Sequence, residues 1–228
     1  MFRNALSVLL ISCFSWFWPV GLTMAEISAS SSLPANPVYQ PPLRGAPDRR
    51  VGGGTRGGTL VLSVVAPKQS SWASQDQPMF YWFISAIPKQ GKLTFSLNKA
   101  SSSKPLFENT LLLPNNPGIQ GYPLTGYRLE PRVEYLWSIS LSFDEKEERA
   151  DQVAKGGIIY NGLSDNDRLA WNKLKQDELI VLQSHSGYWY DAMENLMRLI
   201  DSHPNDSQYR EWRKDLLMQV GLGNIAEF

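Results

Sequence analysis

Apolar and polar residues alternate along the middle of the chain, between about residues 59 and 162. Over 134–143, Trp137, Ile139 and Leu141 form one face, and the serines between them form the other. A period of two with one apolar face predicts antiparallel strands that are buried on one side only. Strands are predicted over 59–66, 79–85, 92–98, 105–113, 119–124, 134–143 and 157–161. Seven short strands of this kind predict an immunoglobulin-like antiparallel β-sandwich over 59–162.

Beyond residue 162 the apolar spacing changes to that of α-helices. Helices are predicted over 164–174, 177–183, 188–201 and 206–220. Ser164 followed by Asp167 is typical of a helix N-cap, and Gly221 is typical of a helix end. The last two helices form a hairpin whose apolar stripes need a surface to cover them, so the region 163–228 is expected to dock on the sandwich. The predicted fold class is mostly β with α.

The first 25 residues have the three-part pattern of a cleavable signal peptide. Arg3 precedes an apolar run over 6–18, and small residues lead to predicted cleavage after Ala25. An uncleaved anchor is an alternative, although a membrane-spanning helix needs roughly 20 apolar residues. A second alternative is lipid anchoring through Cys13, whose preceding residues resemble a lipobox. We therefore expect export to the periplasm or the cell exterior, with no transmembrane segment in the mature chain.

Composition narrows the chemistry that is open to the mature chain. Cys13 is the only cysteine, so loss of the signal peptide removes every thiol and excludes a disulfide, a cysteine nucleophile and a cysteine metal site. The chain has 22 basic and 22 acidic residues, and loss of Arg3 leaves a net charge of −1. This balance does not indicate a nucleic-acid partner.

Residues 26–58 are rich in Ser, Pro, Gly and Arg and poor in large apolar residues. This composition cannot offset the entropy of ordering, which predicts a disordered linker. Gly52, Gly54 and Gly57 match the spacing of a dinucleotide motif, but no strand precedes them and no helix follows, so nucleotide binding is not expected. A solvated arm is the simpler interpretation, and polyanion binding is the alternative, through Arg44, Arg49, Arg50 and Arg56.

Metal and cofactor chemistry finds no support in the sequence. His185 and His203 lie 18 residues apart, whereas zinc ligands on one helix face would be four apart. Asp165 and Asp167 resemble part of a calcium loop, but Ala170 stands where that loop needs glycine. Helix capping explains these acids, and neither a metal nor a cofactor is expected.

Two groups of side chains are candidates for binding or catalysis. Residues 80–83 are all aromatic, and strand alternation would turn two of them away from the core. Outward aromatic rings can stack on sugar rings, so Tyr81 and Trp82 are candidate ligand-binding residues. The alternative is that they support the docked helices. The acidic run at 144–149 is interpreted as a solvated hairpin tip. The carboxylates that only the fold could bring together for catalysis are Glu130, Glu134, Asp144 and Asp191.

Several short motifs occur in a fixed order along the chain. They are RRVGGGTRG at 49–57, PMFYW at 78–82, YLWS at 135–138, GYWYDA at 187–192, WRKDLL at 212–217 and VGL at 220–222. On these motifs the chain resembles, over roughly 45–225, a cyanobacterial family classed as a domain of unknown function, the 928 family. The resemblance implies an exported cyanobacterial protein and brings no known activity. Relatives often carry cysteines where this chain has Thr59 and Phe143, so a disulfide formed there in relatives would be absent here.

The sequence therefore favours a non-catalytic binding or scaffolding module of the cell envelope, whose partner is an envelope protein or polysaccharide. The alternative is an envelope polysaccharide hydrolase that uses carboxylates assembled by the fold. The specific ligand, the oligomeric state and enzymatic activity have no motif that identifies them.

Overall fold

A computed structural model describes residues 34–42, 46–52, 60–143 and 152–228. Within them, strands come first and helices follow. The strands are β1 (Leu62–Val64), β2 (Ser71–Ala73), β3 (Met79–Ile84), β4 (Lys92–Lys99), β5 (Phe107–Leu111), β6 (Gly118–Pro123), β7 (Glu134–Ser142) and β8 (Gln152–Tyr160). The helices are α1 (Asp165–Trp171), α2 (Gln176–His185), α3 (Trp189–Ser202) and α4 (Ser207–Gln219), with a 3₁₀ helix at Gly223–Ile225. Every predicted strand and helix has a counterpart, and β2 is additional.

The larger sheet has five strands in the order β2-β8-β7-β4-β5. Its neighbouring strands are antiparallel except β2 and β8, which are parallel. The face that alternation predicted is the buried one, because Leu93 and Phe95 on β4, and Trp137 and Ile139 on β7, are fully buried.

The smaller sheet has the order β1-β3-β6 and is antiparallel. On one face of β3, the ring of Phe80 lies 5.1 Å from that of Phe95 and 4.8 Å from that of Trp137, so this face packs against the larger sheet. On the other face, the ring of Phe83 lies 4.8 Å from that of Phe228. The coarse prediction of a largely antiparallel β core followed by helices is therefore confirmed.

Helix α3 attaches the helical region to both sheets. The Trp189 indole N–H donates to the Val65 carbonyl at 3.0 Å, next to β1. The Trp137 indole N–H donates to the Tyr190 hydroxyl at 2.8 Å, and that hydroxyl donates to the Gly157 carbonyl at 2.8 Å, on β8. Since all of these groups are buried, each hydrogen bond satisfies a donor or acceptor that would otherwise be unpaired.

The helix ends follow the predicted capping chemistry. The Ser164 hydroxyl accepts from the Asp167 backbone N–H at 3.2 Å, and the Asp206 carboxylate accepts from the Gln208 N–H at 2.9 Å at the start of α4. Gly221 follows α4 with φ +73°, a left-handed conformation that glycine adopts without strain.

The prediction of a disordered linker over 26–58 is wrong for the described residues 34–42 and 46–52. Tyr39 is 9% exposed, its ring lies 5.1 Å from that of Trp189, and its hydroxyl donates to Ser71 Oγ at 2.9 Å. The Gln40 N–H donates to the Ser184 carbonyl at 3.1 Å. One buried aromatic ring and backbone hydrogen bonds to distant elements order this Pro-rich chain, and neither feature has a local periodicity.

Several predictions lie outside the described residues. These are the signal peptide at 1–25 with Cys13, the arginines Arg44 and Arg56, and the acidic run at 144–149 with Asp144. Among the described residues, no helix is long and apolar enough to cross a membrane.

Candidate functional site

A small polar cleft of about 180 Å³ lies between α1, α2, α3 and the chain that follows β2. Three of its lining residues are apolar or aromatic, and the others carry amide, hydroxyl, carboxylate or guanidinium groups. The lining residues are Ser74, Gln75, Leu163, Arg168, Trp171, Asn172, Leu179, Gln183, Asp191, Glu194, Asn195 and Arg198. We call this cavity the polar cleft.

Helix α3 supplies one wall of the polar cleft through a polar stripe. Asp191, Glu194, Asn195 and Arg198 have the i, i+3, i+4 and i+7 spacing that places side chains on one helix face. The neighbouring face of α3 buries apolar residues against the sheets. The amphipathic sequence of α3 therefore fixes which side chains reach the cleft.

Asp191 is the most buried charged group of the cleft, with 6% of its surface exposed. Its Oδ2 accepts from the Ser74 backbone N–H at 2.8 Å, and its Oδ1 accepts from the Ser74 hydroxyl. Burial raises the pKa of Asp191 from its ordinary value of 3.8 to about 6; the Ser74 hydrogen bonds oppose this rise, and the charge of Glu194 adds to it. Both carboxylate oxygens of Asp191 are thus already engaged.

A hydrogen-bond network joins the remaining polar side chains of α3 to α2. Arg198 pairs with Glu194 at 2.7 Å and also donates to Asn195 Oδ1 at 3.2 Å. The Asn195 amide donates to Gln183 Oε1 at 3.0 Å. Gln183 is only 2% exposed, and this network fixes the orientation of its side chain.

Other donors of the cleft have no partner among the described residues. They include the Gln183 Nε2 amide, the exposed guanidinium of Arg168 and the indole N–H of Trp171. Trp171 is partly buried, and its ring stands edge-on to that of Tyr188 at 5.1 Å. In the polar cleft, the carboxylates are therefore already hydrogen-bonded, several donors have no partner, and one wall is aromatic. This arrangement fits a ligand that is rich in hydrogen-bond acceptors.

The predicted ligand-binding aromatics are not at the surface. Tyr81 is 9% exposed and Trp82 is 2% exposed, and Phe80 and Phe83 are buried as well. The expectation that alternation turns two of these rings outward is wrong, because β3 is covered on both faces. Helix α3 packs on β3. Burial, with smaller contributions from Glu194 and Asp201, raises the pKa of Tyr81 to about 12. Phe80 packs on the larger sheet and on Tyr190 of α3, and Phe83 packs on Phe228, so the contacts of these two rings agree with the alternative of support for the docked helices.

Arg49 and Arg50 of the predicted polyanion site are used within the fold. Arg49 makes a two-point ion pair with Glu134, at 2.9 Å and 2.8 Å. Arg50 donates to the carbonyls of Ala66 at 3.0 Å and Val220 at 2.8 Å. The described arginines therefore hold residues 46–52 against the body, which argues against a free cationic arm.

The predicted catalytic carboxylates are not brought together. Glu130 pairs with Lys99 at 2.9 Å. Glu134 accepts from Arg49 and from Ser70; burial opposes ionisation there, but these hydrogen bonds outweigh it and lower the pKa of Glu134. Of the three predicted catalytic carboxylates that lie in the described residues, Asp191 alone lines the polar cleft. Within the described part of the chain, no three histidine, cysteine or acidic residues are grouped so that they could hold a metal ion.

Sequence reasoning identified Asp191 and missed the rest of the polar cleft. The polar stripe of α3 was readable beside its apolar stripe, since Glu194, Asn195 and Arg198 follow Asp191 at helical spacing. The contributions of Ser74 and Arg168 had no such signal, because they reach the cleft from separate parts of the chain.

The fold and the cleft define a β-rich module with a helical layer and a small polar site on its helical side. The chain matches the family described as Domain of Unknown Function (DUF928) over residues 49–228 and belongs to it. The resemblance predicted from the ordered motifs is thereby confirmed. Among proteins of curated function, none matches the chain.

Proposed function

We propose that this protein is a non-catalytic binding module of the cell envelope, and that the polar cleft holds one sugar residue of an envelope polysaccharide. The observation that carries the proposal is the set of unpartnered donors beside a partly buried indole. Hydroxyl and ring oxygens of a sugar accept hydrogen bonds, and the apolar face of a sugar ring packs on an aromatic ring.

The size of the cleft agrees with a small ligand. Its volume of about 180 Å³ is below the roughly 300–1,000 Å³ that is common for pockets holding drug-sized molecules. One sugar ring at a chain end or a branch fits this scale better than an extended segment. The unpaired guanidinium of Arg168 at the rim favours an acidic sugar over a neutral one.

The engagement of the carboxylates favours binding over catalysis. A nucleophile or general base needs a free oxygen, whereas both oxygens of Asp191 accept from Ser74. Glu194 is held by Arg198. Each carboxylate therefore orients its neighbours in the polar cleft.

The test is calorimetric titration with neutral and uronic-acid-containing oligosaccharides from the envelope. Arg168→Ala and Trp171→Ala are expected to weaken binding of the acidic oligosaccharide about tenfold or more, because each removes a direct contact. Lys173→Ala is the matched control, since Lys173 is exposed on the same segment outside the cleft. Equal affinities for the four proteins would refute this site. Retention of an envelope protein by both Ala variants would point to a scaffolding role at another surface.

A second candidate, the polysaccharide hydrolase, is favoured by one observation. Asp191, with a pKa of about 6, shares the cleft with a second carboxylate, Glu194, as a general acid and its partner would. Release of reducing ends from the same oligosaccharides, abolished in both Asp191→Asn and Glu194→Gln, would establish hydrolysis. No release at any pH from 4 to 8 would eliminate it.

The N-terminal pattern supports export to the periplasm or the cell exterior, with cleavage of the signal peptide after Ala25. N-terminal sequencing of the protein from its native host is the test. A chain beginning at Glu26 agrees with cleavage, a lipidated Cys13 at the N-terminus indicates the lipid-anchored alternative, and an intact Met1 in the cytosol refutes export. The cyanobacterial setting is supported by the resemblance described above.

An immunoglobulin-like arrangement of the β core is supported by its two sheets and by the Phe80 and Trp137 contact between them. The parallel β2 and β8 pair departs from a purely antiparallel sandwich. A crystal structure whose strand order superposes on an immunoglobulin domain would support this finer assignment, and a different order would refute it.

A further inference from the structure

Strand β5 forms an open edge of the larger sheet. It is the last strand in the order β2-β8-β7-β4-β5, and its one partner strand is β4. In the part of the chain that the structure describes, the backbone groups of Phe107–Leu111 make no hydrogen bond outside this pair. In an antiparallel pair, alternate residues direct their N–H and C=O groups away from the partner, so β5 presents unpaired groups along its outer side.

The other sheet edges are less suited to pairing. β1 and β2 have three residues each, and the Trp72 N–H of β2 already donates to the Gly187 carbonyl at 3.1 Å. β6 contains Gly118 and Gly121 and ends at Pro123. β5 contains no proline, glycine or lysine, which commonly protect an edge, and its one charged residue is Glu108.

The sequence around β5 is complementary to itself when two copies run antiparallel. With Asn109 opposite the same residue of a second copy, Phe107 faces Leu111 and Glu108 faces Thr110. One step further out, Leu106 faces Leu112. Leu106 is 45% exposed and Leu112 is 93% exposed, so the pairing would cover two apolar side chains that this chain leaves in water.

The faces of β5 agree with this register. Phe107 and Asn109 point to the inner side, where Phe107 lies 6.3 Å from the ring of Phe95 and Asn109 donates to the Tyr122 hydroxyl at 3.0 Å. Glu108 is on the outer side and accepts from Ser96 at 3.0 Å. Because directly opposite residues in an antiparallel pair share a face, apolar side chains meet apolar ones and the two Glu108 carboxylates are not directly opposed.

We infer that two copies of this protein associate through β5, in an antiparallel pairing centred on Asn109 that joins the two larger sheets into one. This association does not depend on the ligand of the polar cleft. Seven residue pairs, over residues 106–112, give a small interface, so the dimer is weak and reversible.

The test is sedimentation velocity of the purified protein from about 1 µM to about 0.5 mM. Thr110→Glu places like charges opposite both Glu108 residues and is expected to raise the dimer dissociation constant about 2-fold to 30-fold, while Thr110→Lys lowers it by a similar factor. Ser103→Glu and Ser103→Lys are matched controls, because they change the net charge equally at an exposed position outside β5.

Leu112→Ser is expected to weaken the dimer, and Leu169→Ser, at a residue 60% exposed on α1, is expected to leave it unchanged. A protein that stays monomeric at every concentration overturns the inference. A dimer that responds in the same direction to Glu and Lys at Thr110, or equally to the Ser103 controls, overturns it as well.

Discussion

Replacing Asp191 by Asn removes a buried charge and keeps the shape of the side chain. The Asn amide can accept from the Ser74 N–H and donate to the Ser74 hydroxyl, so both contacts of the carboxylate have a counterpart. The variant therefore isolates the effect of the charge on stability.

The magnitude follows from the pKa of Asp191. Burial raises it from 3.8 to about 6, which corresponds to about 3 kcal/mol between the two protonation states. Because the folded state binds this proton more tightly than the unfolded state, the contribution to stability is fully present below about pH 3.8. It is lost as the pH rises to about 6, and above that value the ionised group leaves the wild type less stable. Asp191→Asn is expected to be about 1–3 kcal/mol more stable than the wild type at pH 7, with no such advantage at pH 4.

Urea unfolding followed by tryptophan fluorescence, at intervals between pH 4 and 7.5, measures this difference. Other carboxylates titrate in both proteins, so their contributions cancel when the two curves are subtracted. Asp215→Asn, at an exposed position of α4, is the control for loss of one carboxylate. A stability difference for Asp191→Asn that is constant with pH, or that favours the wild type near pH 7, would show that the raised pKa is not the cause. A stabilised variant that binds its ligand poorly would indicate that the charge is kept for function.

Two further predictions concern the segment that the composition suggested was disordered. Arg49→Gln and Glu134→Gln are each expected to destabilise the protein, since their ion pair is bidentate and partly buried. A double-mutant cycle measured by urea unfolding is expected to give a coupling free energy of about 1 kcal/mol. A coupling of zero would contradict a structural role for the pair. Gly157→Ala is expected to lower the free energy of unfolding by about 2 kcal/mol or more, because its added Cβ would clash with Ser70 Oγ and crowd the side chain of Arg49. Gly52→Ala is the matched control and is expected to have little effect, since no atom of the described residues lies within 4 Å of the added Cβ; equal losses in the two variants would refute the steric explanation.

Secondary structure was largely readable from the sequence, because strand and helix periodicities are local properties. The alternation over 134–143 predicts β7 at Glu134–Ser142, and the pair Ser164 and Asp167 predicts the start of α1. β2 was missed because three residues are too few to establish a period. The order of several separate motifs was likewise sufficient to predict the family.

The candidate site depended on tertiary structure. Alternation gives two faces to β3, but whether Tyr81 faces water or a helix depends on what covers the sheet, and α3 comes from a distant part of the sequence. Asp191 was one acidic residue among 22 until the fold placed Ser74 against it and removed its water. The chain itself determined which segments form strands and helices, since that choice depends on neighbouring residues. The burial of Asp191, its raised pKa and the polar cleft arise from contacts between residues far apart in sequence. They were therefore decided by the tertiary structure alone.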